Sequence, residues 1–217
     1  MESRMSSSLH GKRGLVVGIA NEASIAAGCA RACVAAGASL TATYLNDKAL
    51  PHVRAVTEPL GATLLLPCDV RAGRTGGRVR APARRVEPVG FPAARRRVRA
   101  RGLRMARTFY GSERVVAHYN LMGAVKAALE SAVRYTAAEL GPKGIRAHAI
   151  SPGPIRTRAA SGIDRFDELL AAAVATAPEH LVDIDDVGAL AAFLVSDGAR
   201  RITGTAIPVD GGQHLVA

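Results

Sequence analysis

The sequence predicts an α/β fold, in which a parallel sheet carries helices on both faces. Three observations predict it. Short apolar runs alternate with Ala-rich segments of helical length, a glycine turn follows the first run, and a Pro/Gly loop follows a later one. Such alternation is typical of parallel sheets, whose neighbouring strands need a crossover connection. With 217 residues and 48% hydrophobic composition, the chain can bury one core, so we expect a single domain over residues 1–217.

The first unit has the order strand, turn, helix and second strand, predicted at 14–18, 19–24, 24–36 and 39–44. This order is that of the first half of a Rossmann-like dinucleotide-binding fold, a doubly wound sheet. Gly18 would permit the sharp turn, the helix N-terminus near Ser24 would face a pyrophosphate, and Gly28 would let the helix pack closely on the sheet. The spacing differs from the common G-x-G-x-x-G, so the motif alone is weak.

A third strand is predicted over residues 62–70, after a helix over 46–60 that is interrupted near Pro51. This strand ends in Asp69 and Val70. At the end of a strand, the Asp69 carboxylate could accept a hydrogen bond from an adenine amino group. The alternative is that it caps the next turn.

The segment 71–107 interrupts this regular pattern. It holds 13 Arg, no Lys and one acid, Glu87, whereas the rest of the chain has 16 basic (29 − 13) and 17 acidic (18 − 1) residues. Three interpretations compete: a basic insertion that binds nucleic acid or an acidic partner, a disordered linker, and a reading-frame error or rearrangement in a GC-rich gene. We favour the frame error, because the pattern stops abruptly and Phe91 is the segment's single aromatic residue for base stacking. We therefore expect no nucleic-acid partner.

Regular patterning resumes near Thr108. The predicted elements are a long helix, a strand, two helices and a final strand, at 119–140, 144–150, 164–177, 183–196 and 203–212. The loop 151–157, Ser-Pro-Gly-Pro-Ile-Arg-Thr, lies at the carboxyl end of its strand, where ligands bind in open α/β sheets.

Tyr119 and Lys126 stand seven residues apart in the predicted long helix. Seven steps of about 100° return a helix nearly to its starting face, and helical side chains lean toward the N-terminus. Lys126 would therefore reach toward the phenol of Tyr119 and lower its pKa, which would make it a proton donor suited to neutral pH. The alternative is a chance pairing of a half-buried Tyr and a solvated Lys.

Composition argues against several other classes of protein. No run of 18 apolar residues exists and the first ten residues lack a secretory core, so we expect no membrane association and no export. The three cysteines, Cys29, Cys33 and Cys68, have no clustered His beside them. We interpret them as thiols of a reducing, cytoplasmic compartment and expect no metal.

Several of these motifs together resemble the short-chain dehydrogenase/reductases. They are the glycine turn with Ser24 and Ile25, the Cys-Asp-Val end of the third strand, Tyr119-x6-Lys126, the 151–157 loop and the Val-Asp-Gly-Gly of 209–212. The glycine turn, together with Gly-Pro-Ile-Arg-Thr and the following Ala-Ala-Ser-Gly, resembles the bacterial enoyl-acyl-carrier-protein reductases. The resemblance covers residues 9–70 and 108–217, and the segment between them does not match.

The resemblance implies NADH-dependent reduction of the trans-2 double bond of enoyl-acyl-carrier-protein thioesters in fatty acid biosynthesis. Tyr119 would donate a proton or stabilise the enolate, and Lys126 would bind the nicotinamide ribose and tune Tyr119. The family's second active-site tyrosine falls on Phe109, with Tyr110 beside it, so both would border the substrate with Tyr119. The residues implied for the dinucleotide are Gly18, Ser24, Ile25, Leu45, Asp69, Val70, Lys126, Ile155, Arg156, Thr157, Arg158 and Ala159.

The cofactor and the assembly also follow from the resemblance. NADH is favoured over NADPH because the segment 45–48, Leu-Asn-Asp-Lys, has no paired Arg for a 2′-phosphate. Relatives of this fold usually form tetramers through the helix of the Tyr/Lys pair, which implies a homotetramer. The alternatives are reduction of a 3-oxoacyl thioester and a non-catalytic, damaged homologue.

The family fold conflicts with the segment 71–107. The family has a strand, a glycine-containing loop, a helix and another strand before the tyrosine region. Only 39 residues separate Asp69 from Phe109, and one βαβ unit takes about 30. Arg-rich sequence in a strand buried on both faces would place unpaired charge in the core. We therefore expect central strands to be missing or disrupted between residues 71 and 107.

Overall fold

The computed structural model describes residues 9–62, 64–68, 102–157, 160 and 165–216. Strands in this part of the chain are β1 (Arg13–Val16), β2 (Ser39–Tyr44), β3 (Leu64–Pro67), β4 (Gly102–Arg107), β5 (Ile145–Pro152) and β6 (Thr205–Val209). The α-helices there are α1 (Ile25–Ala35), α2 (Leu50–Thr57), α3 (Leu121–Leu140), α4 (Phe166–Thr176), α5 (Ile184–Val195) and α6 (Gln213–Val216).

The first three strands form a parallel sheet with β2 in the centre. Leu15 is in register with Thr41, and Ala42 with Leu65. Helices α1 and α2 make the two crossovers, as parallel pairing requires. The core of this unit joins small side chains of α1 to apolar residues of the sheet and α2, including Ala27, Ala30, Cys33, Leu40, Ala42, Val53 and Val56. The predicted β-turn-α-β unit is therefore confirmed.

The last three strands form a second parallel sheet with β5 in the centre. Strand β4 pairs with β5 over six residues, from Gly102 beside Ile145 to Arg107 beside Ile150. The expectation that the Arg-rich segment holds no strand, and that order resumes near Thr108, is therefore wrong for 102–107. The strand is compatible with its charges because Arg104 and Arg107 are exposed. Residues 71–101 lie outside the described residues.

Helix α5 packs against α1 and against strands β5 and β6. Its buried residues Val187, Ala191 and Leu194 form an apolar cluster with Ile150 of β5. Ile25, at the start of α1, and Ile155, in the loop after β5, pack against the same cluster. The N-terminus of α1 and the loop after β5 therefore share one core cluster.

Both ends of α5 are held by side chains. The carboxylate of Asp183 accepts hydrogen bonds from the backbone N–H groups of Asp185 and Asp186, and the Asp186 carboxylate accepts from the N–H of Asp183. This reciprocal arrangement is a capping box. At the other end, the Arg146 guanidinium donates to backbone carbonyls, to Ala199 at 2.8 Å and more weakly to Val195 and Ser196.

Within the described ranges, no helix combines the length and the apolar character needed to cross a membrane.

Candidate active site

A cleft opens at the carboxyl ends of β4 and β5, beside the first turns of α3 and α4. The loop 151–157 forms one wall, and the segment that follows β4 forms another. Its lining residues are Arg107, Thr108, Phe109, Tyr119, Lys126, Pro152, Gly153, Pro154, Ile155, Ala160, Phe166 and Leu169. The cleft therefore unites Tyr119, Lys126, Phe109 and Ile155, four of the predicted site residues.

Tyr119 lies in the turn before α3, although a helix was predicted to include it. The helix begins at Leu121. His118 and Asn120, on either side of Tyr119, have positive φ values of 62° and 47°, and Asn120 is not helical. Such conformations are costly for non-glycine residues and concentrate at functional sites. The shared-helix geometry predicted for Tyr119 and Lys126 is therefore wrong, but both side chains reach the same cleft.

Three aromatic rings form a row beside the cleft. The centroid of the Phe109 ring lies 4.3 Å from that of Tyr110 and 5.0 Å from that of Tyr119. Both pairs are tilted, an arrangement that aromatic rings prefer over a face-to-face stack. A Cβ atom on Gly111 would stand 2.7 Å from Cδ1 of Tyr119, so the close approach requires glycine there. Tyr119 is only 8% exposed.

The Lys126 ammonium donates a hydrogen bond of 3.3 Å to the backbone carbonyl of Arg107 at the end of β4. Burial lowers the pKa of Lys126, and the nearby Arg107 charge lowers it further. For Tyr119, burial raises the pKa, and the Arg107 charge offsets part of that increase. The prediction that Lys126 lowers the pKa of Tyr119 is therefore wrong for this structure, because burial dominates and the modulating cation is Arg107.

Glu130 lies one helical turn after Lys126 and is 7% exposed. Its Oε1 atom accepts two hydrogen bonds, from Thr108 Oγ1 at 2.5 Å and from Ser112 Oγ at 2.6 Å. These contacts connect α3 to the segment that carries Phe109 and Tyr110. Sequence reasoning missed Glu130; its i, i+4 spacing from Lys126 was the available signal.

Tyr110 is not one of the described residues that line the cleft. Burial raises the pKa of its phenol, the Asp210 carboxylate raises it further, and Arg114 acts in the opposite direction. The Tyr110 phenol therefore lies within electrostatic range of the Asp210 carboxylate. A direct contact with substrate, as the resemblance implied for it, stays a prediction.

The glycine turn and the start of α1 suit a phosphate group. Gly18 has φ +92°, and a Cβ there would find no atom within 4 Å, so the turn borders open space. The first turn of α1 has no acidic residue. Its N-cap, Ser24, makes no side-chain cap, because its hydroxyl donates to the Asn21 carbonyl at 2.7 Å. Backbone N–H groups at such a helix end attract anions.

The remaining predicted dinucleotide residues follow β2, β3 and β5 along the chain. Leu45 is exposed directly after β2, whereas Asp69 and Val70 lie outside the described residues. In the loop after β5, exposed Arg156 forms an ion pair of 2.8 Å with Asp167 at the start of α4. Thr157 accepts hydrogen bonds from the N–H of Ala160 through its carbonyl and its Oγ1. Arg158 and Ala159 lie outside the described residues.

The cleft also contains residues that the sequence analysis did not predict as site residues. Arg107 is the last residue of the Arg-rich segment, and Thr108 follows it directly. Phe166 and Leu169 belong to the first turns of α4. An amphipathic helix beside a Pro/Gly loop was the available signal for the α4 pair. No group of three or more His, Cys, Asp or Glu suited to a metal ion occurs in the part of the chain that the structure describes.

The family model described as "Enoyl-(Acyl carrier protein) reductase" matches residues 18–82 and 90–214. This match extends further into the Arg-rich segment than the resemblance predicted, with a break between residues 82 and 90. The enoyl-[acyl-carrier-protein] reductases [NADH] FabI of Salmonella typhimurium and Escherichia coli are each 36% identical over 252 residues, covering 96% of this chain and 96% of each relative.

The alignments with these two relatives are also longer than this chain. Because 252 aligned positions exceed this chain's 217 residues, each of these two relatives has at least 35 residues (252 − 217) that this chain lacks. That number is close to one βαβ unit of about 30 residues. The expectation of central strands missing or disrupted between residues 71 and 107 stays a prediction, and β4 is present within that range.

Two solved structures are similar throughout. The enoyl-[acyl-carrier-protein] reductase (NADH) from Aquifex aeolicus has a TM-score of 0.80 and 33% identity, covering 96% of this chain and 98% of that one. The reductase from Anaplasma phagocytophilum, in complex with NAD, has a TM-score of 0.80 and 33% identity, covering 96% of each chain. These similarities confirm the Rossmann-like fold. The chain belongs to the enoyl-(acyl carrier protein) reductase family.

Proposed function

We propose that this protein reduces the trans-2 double bond of enoyl-acyl-carrier-protein thioesters in fatty acid biosynthesis, with NADH as reductant. The observation that carries the proposal is the cleft in which the buried Tyr119 and the half-buried Lys126 meet the loop after β5. The names of the FabI relatives describe them as enoyl-[acyl-carrier-protein] reductases [NADH]. They align with nearly the whole of this chain. We further propose that the single domain spans residues 1–217.

The residues of the glycine turn fit a dinucleotide. Gly18 leaves room where a pyrophosphate would approach, and the start of α1 at Ser24 and Ile25, which has no side-chain cap, presents the N-terminal end of the helix to it. Leu45, exposed after β2, would border the adenosine end, and no paired Arg follows that would select a 2′-phosphate. Asp69, Val70 and the loop residues Ile155, Arg156, Thr157, Arg158 and Ala159 complete the proposed set.

Bound NADH would supply a hydride to the β-carbon of the substrate. Tyr119 then acts on the thioester carbonyl oxygen, where negative charge develops as the hydride adds, and protonation of the resulting enolate at the α-carbon completes the reduction. Because burial raises its pKa, the phenol keeps its proton at neutral pH and can donate a hydrogen bond to that oxygen. Lys126, held by the Arg107 carbonyl, would bind the nicotinamide ribose.

Phe109 stands where the resemblance implies the family's second active-site tyrosine, so this position supplies no phenol. Its buried ring packs against Tyr119 and offers no hydroxyl. Tyr119 is therefore the phenol that can reach the substrate from the described walls of the cleft. Phe109 would contribute apolar contact with the acyl chain and would fix the plane of the Tyr119 ring.

Assembly and location extend the proposal. Helix α3 exposes Leu121 (76%), Met122 (44%) and Val125 (48%) along one side, a surface suited to pairing with another copy. We place the homotetramer contact there. The cysteines Cys29, Cys33 and Cys68 are free thiols, which suits a cytoplasmic enzyme.

The test is NADH oxidation by the purified full chain, followed with a crotonyl thioester and with a 3-oxoacyl thioester. We expect turnover with the enoyl substrate, and a loss of about 100-fold or more in kcat/KM for Tyr119→Phe. Tyr135→Phe is the matched control, since Tyr135 is a 77% exposed phenol in α3.

Other outcomes of this assay would contradict the proposal. Faster reduction of the 3-oxoacyl thioester would assign the chain to ketoacyl reduction. NADH binding without turnover of either substrate would indicate a non-catalytic homologue. Activity of Tyr119→Phe equal to that of the parent would remove Tyr119 from the chemistry.

A further inference from the structure

We propose that Glu130 is a positioning residue, which fixes the Tyr119 ring through Thr108 and Ser112. The catalytic part of this inference rests on the proposed enoyl reduction. Its geometric part concerns how helix α3 holds the wall of the cleft against which Tyr119 packs. Neither the tyrosine motif nor the dinucleotide turn includes Glu130.

Two hydroxyls, one buried and one half-buried, converge on one oxygen of Glu130. Thr108 is 1% exposed and Glu130 is 7% exposed. The distances to Glu130 Oε1 are 2.5 Å from Thr108 Oγ1 and 2.6 Å from Ser112 Oγ, short even for O–H···O hydrogen bonds. A carboxyl group removed from water is held by such partners and in turn holds them in place.

The two donors bracket the aromatic wall of the site. Thr108 follows directly after β4, and Ser112 ends the 3₁₀ turn Tyr110–Ser112. Phe109 and Gly111 lie between these donors and contact Tyr119: the Phe109 ring lies 5.0 Å away, and a Cβ on Gly111 would lie 2.7 Å from the Tyr119 ring. The position of this wall therefore determines where the Tyr119 ring can lie.

Helix α3 holds this wall through two side chains that lie one helical turn apart. Lys126 donates to the carbonyl of Arg107, and one turn later Glu130 accepts from Thr108 and Ser112. Loss of the Glu130 acceptor would leave the buried Thr108 hydroxyl and the half-buried Ser112 hydroxyl without this partner, and the turn would shift to find another. Because rates depend steeply on the placement of reacting groups, a small displacement of Tyr119 would reduce kcat more than it changes cofactor binding.

The experiment compares Glu130→Met, which removes the acceptor at similar volume, with Glu130→Gln, which retains a carbonyl oxygen. Thr108→Val and Ser112→Ala remove one donor each and are milder alternatives if Glu130→Met unfolds. Glu139→Gln, an exposed acid in the same helix, is the matched control. The readouts are the NMR ring resonances of the four tyrosines, assigned with Tyr119→Phe, and the kinetics of enoyl reduction.

We expect Glu130→Met and the Thr108→Val/Ser112→Ala pair each to shift the Tyr119 resonances, which sense the Phe109 ring. Both should lower kcat by about tenfold or more while the KM for NADH changes less than about twofold. Combining them should produce little further loss. Glu130→Gln should recover most of the parent's resonance positions and rate, and Glu139→Gln should match the parent.

Unchanged Tyr119 resonances in folded Glu130→Met would overturn the inference, whatever the enzyme's activity. So would an equal loss of NADH affinity and kcat, which would indicate a general structural role. If the parent binds NADH but reduces no enoyl thioester, the proposed function fails, while the resonances still decide whether Glu130 positions Tyr119.

Discussion

Gly188 of α5 lies directly against the backbone of Gly28 in α1. A Cβ atom on Gly188 would stand 2.6 Å from the Gly28 carbonyl oxygen and 2.9 Å from its carbon. A Cβ on Gly28 would in turn collide with the carbonyl of Ile184. The two helices therefore meet backbone to backbone, and this contact holds the start of α1 beside the cluster that also contacts Ile155.

Gly188→Ala should destabilise the protein by about 1–3 kcal/mol or more, because the obstructing atoms are backbone and cannot rotate away. The measurement is the free energy of unfolding from urea denaturation. Gly141→Ala is the control, since a Cβ there meets no atom within 4 Å and its φ of −53° suits alanine. Equal stability of the two variants would mean that the helices separate easily.

The sequence analysis predicted most of the regular elements, because their patterns are local. The apolar run before Gly18, the Ala-rich α1 and the acids that open α5 each specify their own structure. The strand β4 was missed because its Arg residues were interpreted as part of an irregular, charged segment. In the structure, Arg104 and Arg107 are exposed, so the strand tolerates them.

The site was predicted less completely than the fold. Motifs identified Tyr119 and Lys126. The positive φ values of His118 and Asn120, which delay the start of α3 from the predicted residue 119 to Leu121, leave no periodic signal in the sequence. The contact of Glu130 with Thr108 joins residues 22 positions apart, and it exists only once α3 packs against β5 and the turn Tyr110–Ser112. Such contacts depend on tertiary packing, which a single sequence does not display.

Arg146→Met should destabilise the protein by about 1.5–3 kcal/mol, the usual effect of losing hydrogen bonds from a charged donor. The variant retains the apolar stem but leaves carbonyls at and after the end of α5 without their donor, chiefly that of Ala199 at 2.8 Å. Thermal unfolding is the measurement. Arg134→Met, an exposed arginine of α3, is the control and should melt with the parent. An unchanged melting temperature for Arg146→Met would contradict this role.

His148 should make the protein less stable in mild acid. Its side chain is fully buried in β5, and neither ring nitrogen has a hydrogen-bond partner among the residues that the structure describes. Burial lowers its pKa below 6.5, the Arg146 charge lowers it further, and the nearby Ile202 carbonyl offsets part of the shift without forming a hydrogen bond. The unfolded chain therefore binds the proton first, so stability is present above about pH 6.5 and is lost as pH falls toward the folded pKa.

The measurement for His148 is the free energy of unfolding between about pH 7.5 and pH 5, compared with His148→Leu. The difference between parent and variant should change with pH, because only the parent loses the contribution of this residue. His52→Leu, an exposed histidine in α2, is the control and should retain the parent's pH dependence. A His148→Leu profile parallel to that of the parent would exclude His148 as the source.

Arg107→Gln should shift the alkaline limb of the pH–rate profile upward. Activity is lost as pH rises through the pKa of the proton donor, and the Arg107 charge partly offsets the increase that burial causes in the pKa of Tyr119. Removal of that charge raises the pKa of Tyr119, and also that of Lys126. The shift should be small because Arg107 is exposed and screened. Arg104→Gln in the same strand is the control; a downward shift for Arg107→Gln would contradict the assignment.

Val125→Asp should dissociate the proposed tetramer. Val125 is 48% exposed beside Leu121 and Met122, and a carboxylate there would be buried without a partner if α3 faces another copy. Light scattering of the purified full chain should show a mass at least halved for Val125→Asp. Ala55→Asp adds the same charge at an exposed position of α2 and should leave the mass unchanged. A Val125→Asp protein that keeps the parent's mass would exclude this face of α3 as the contact, because a charge of this kind opposes association wherever it is desolvated.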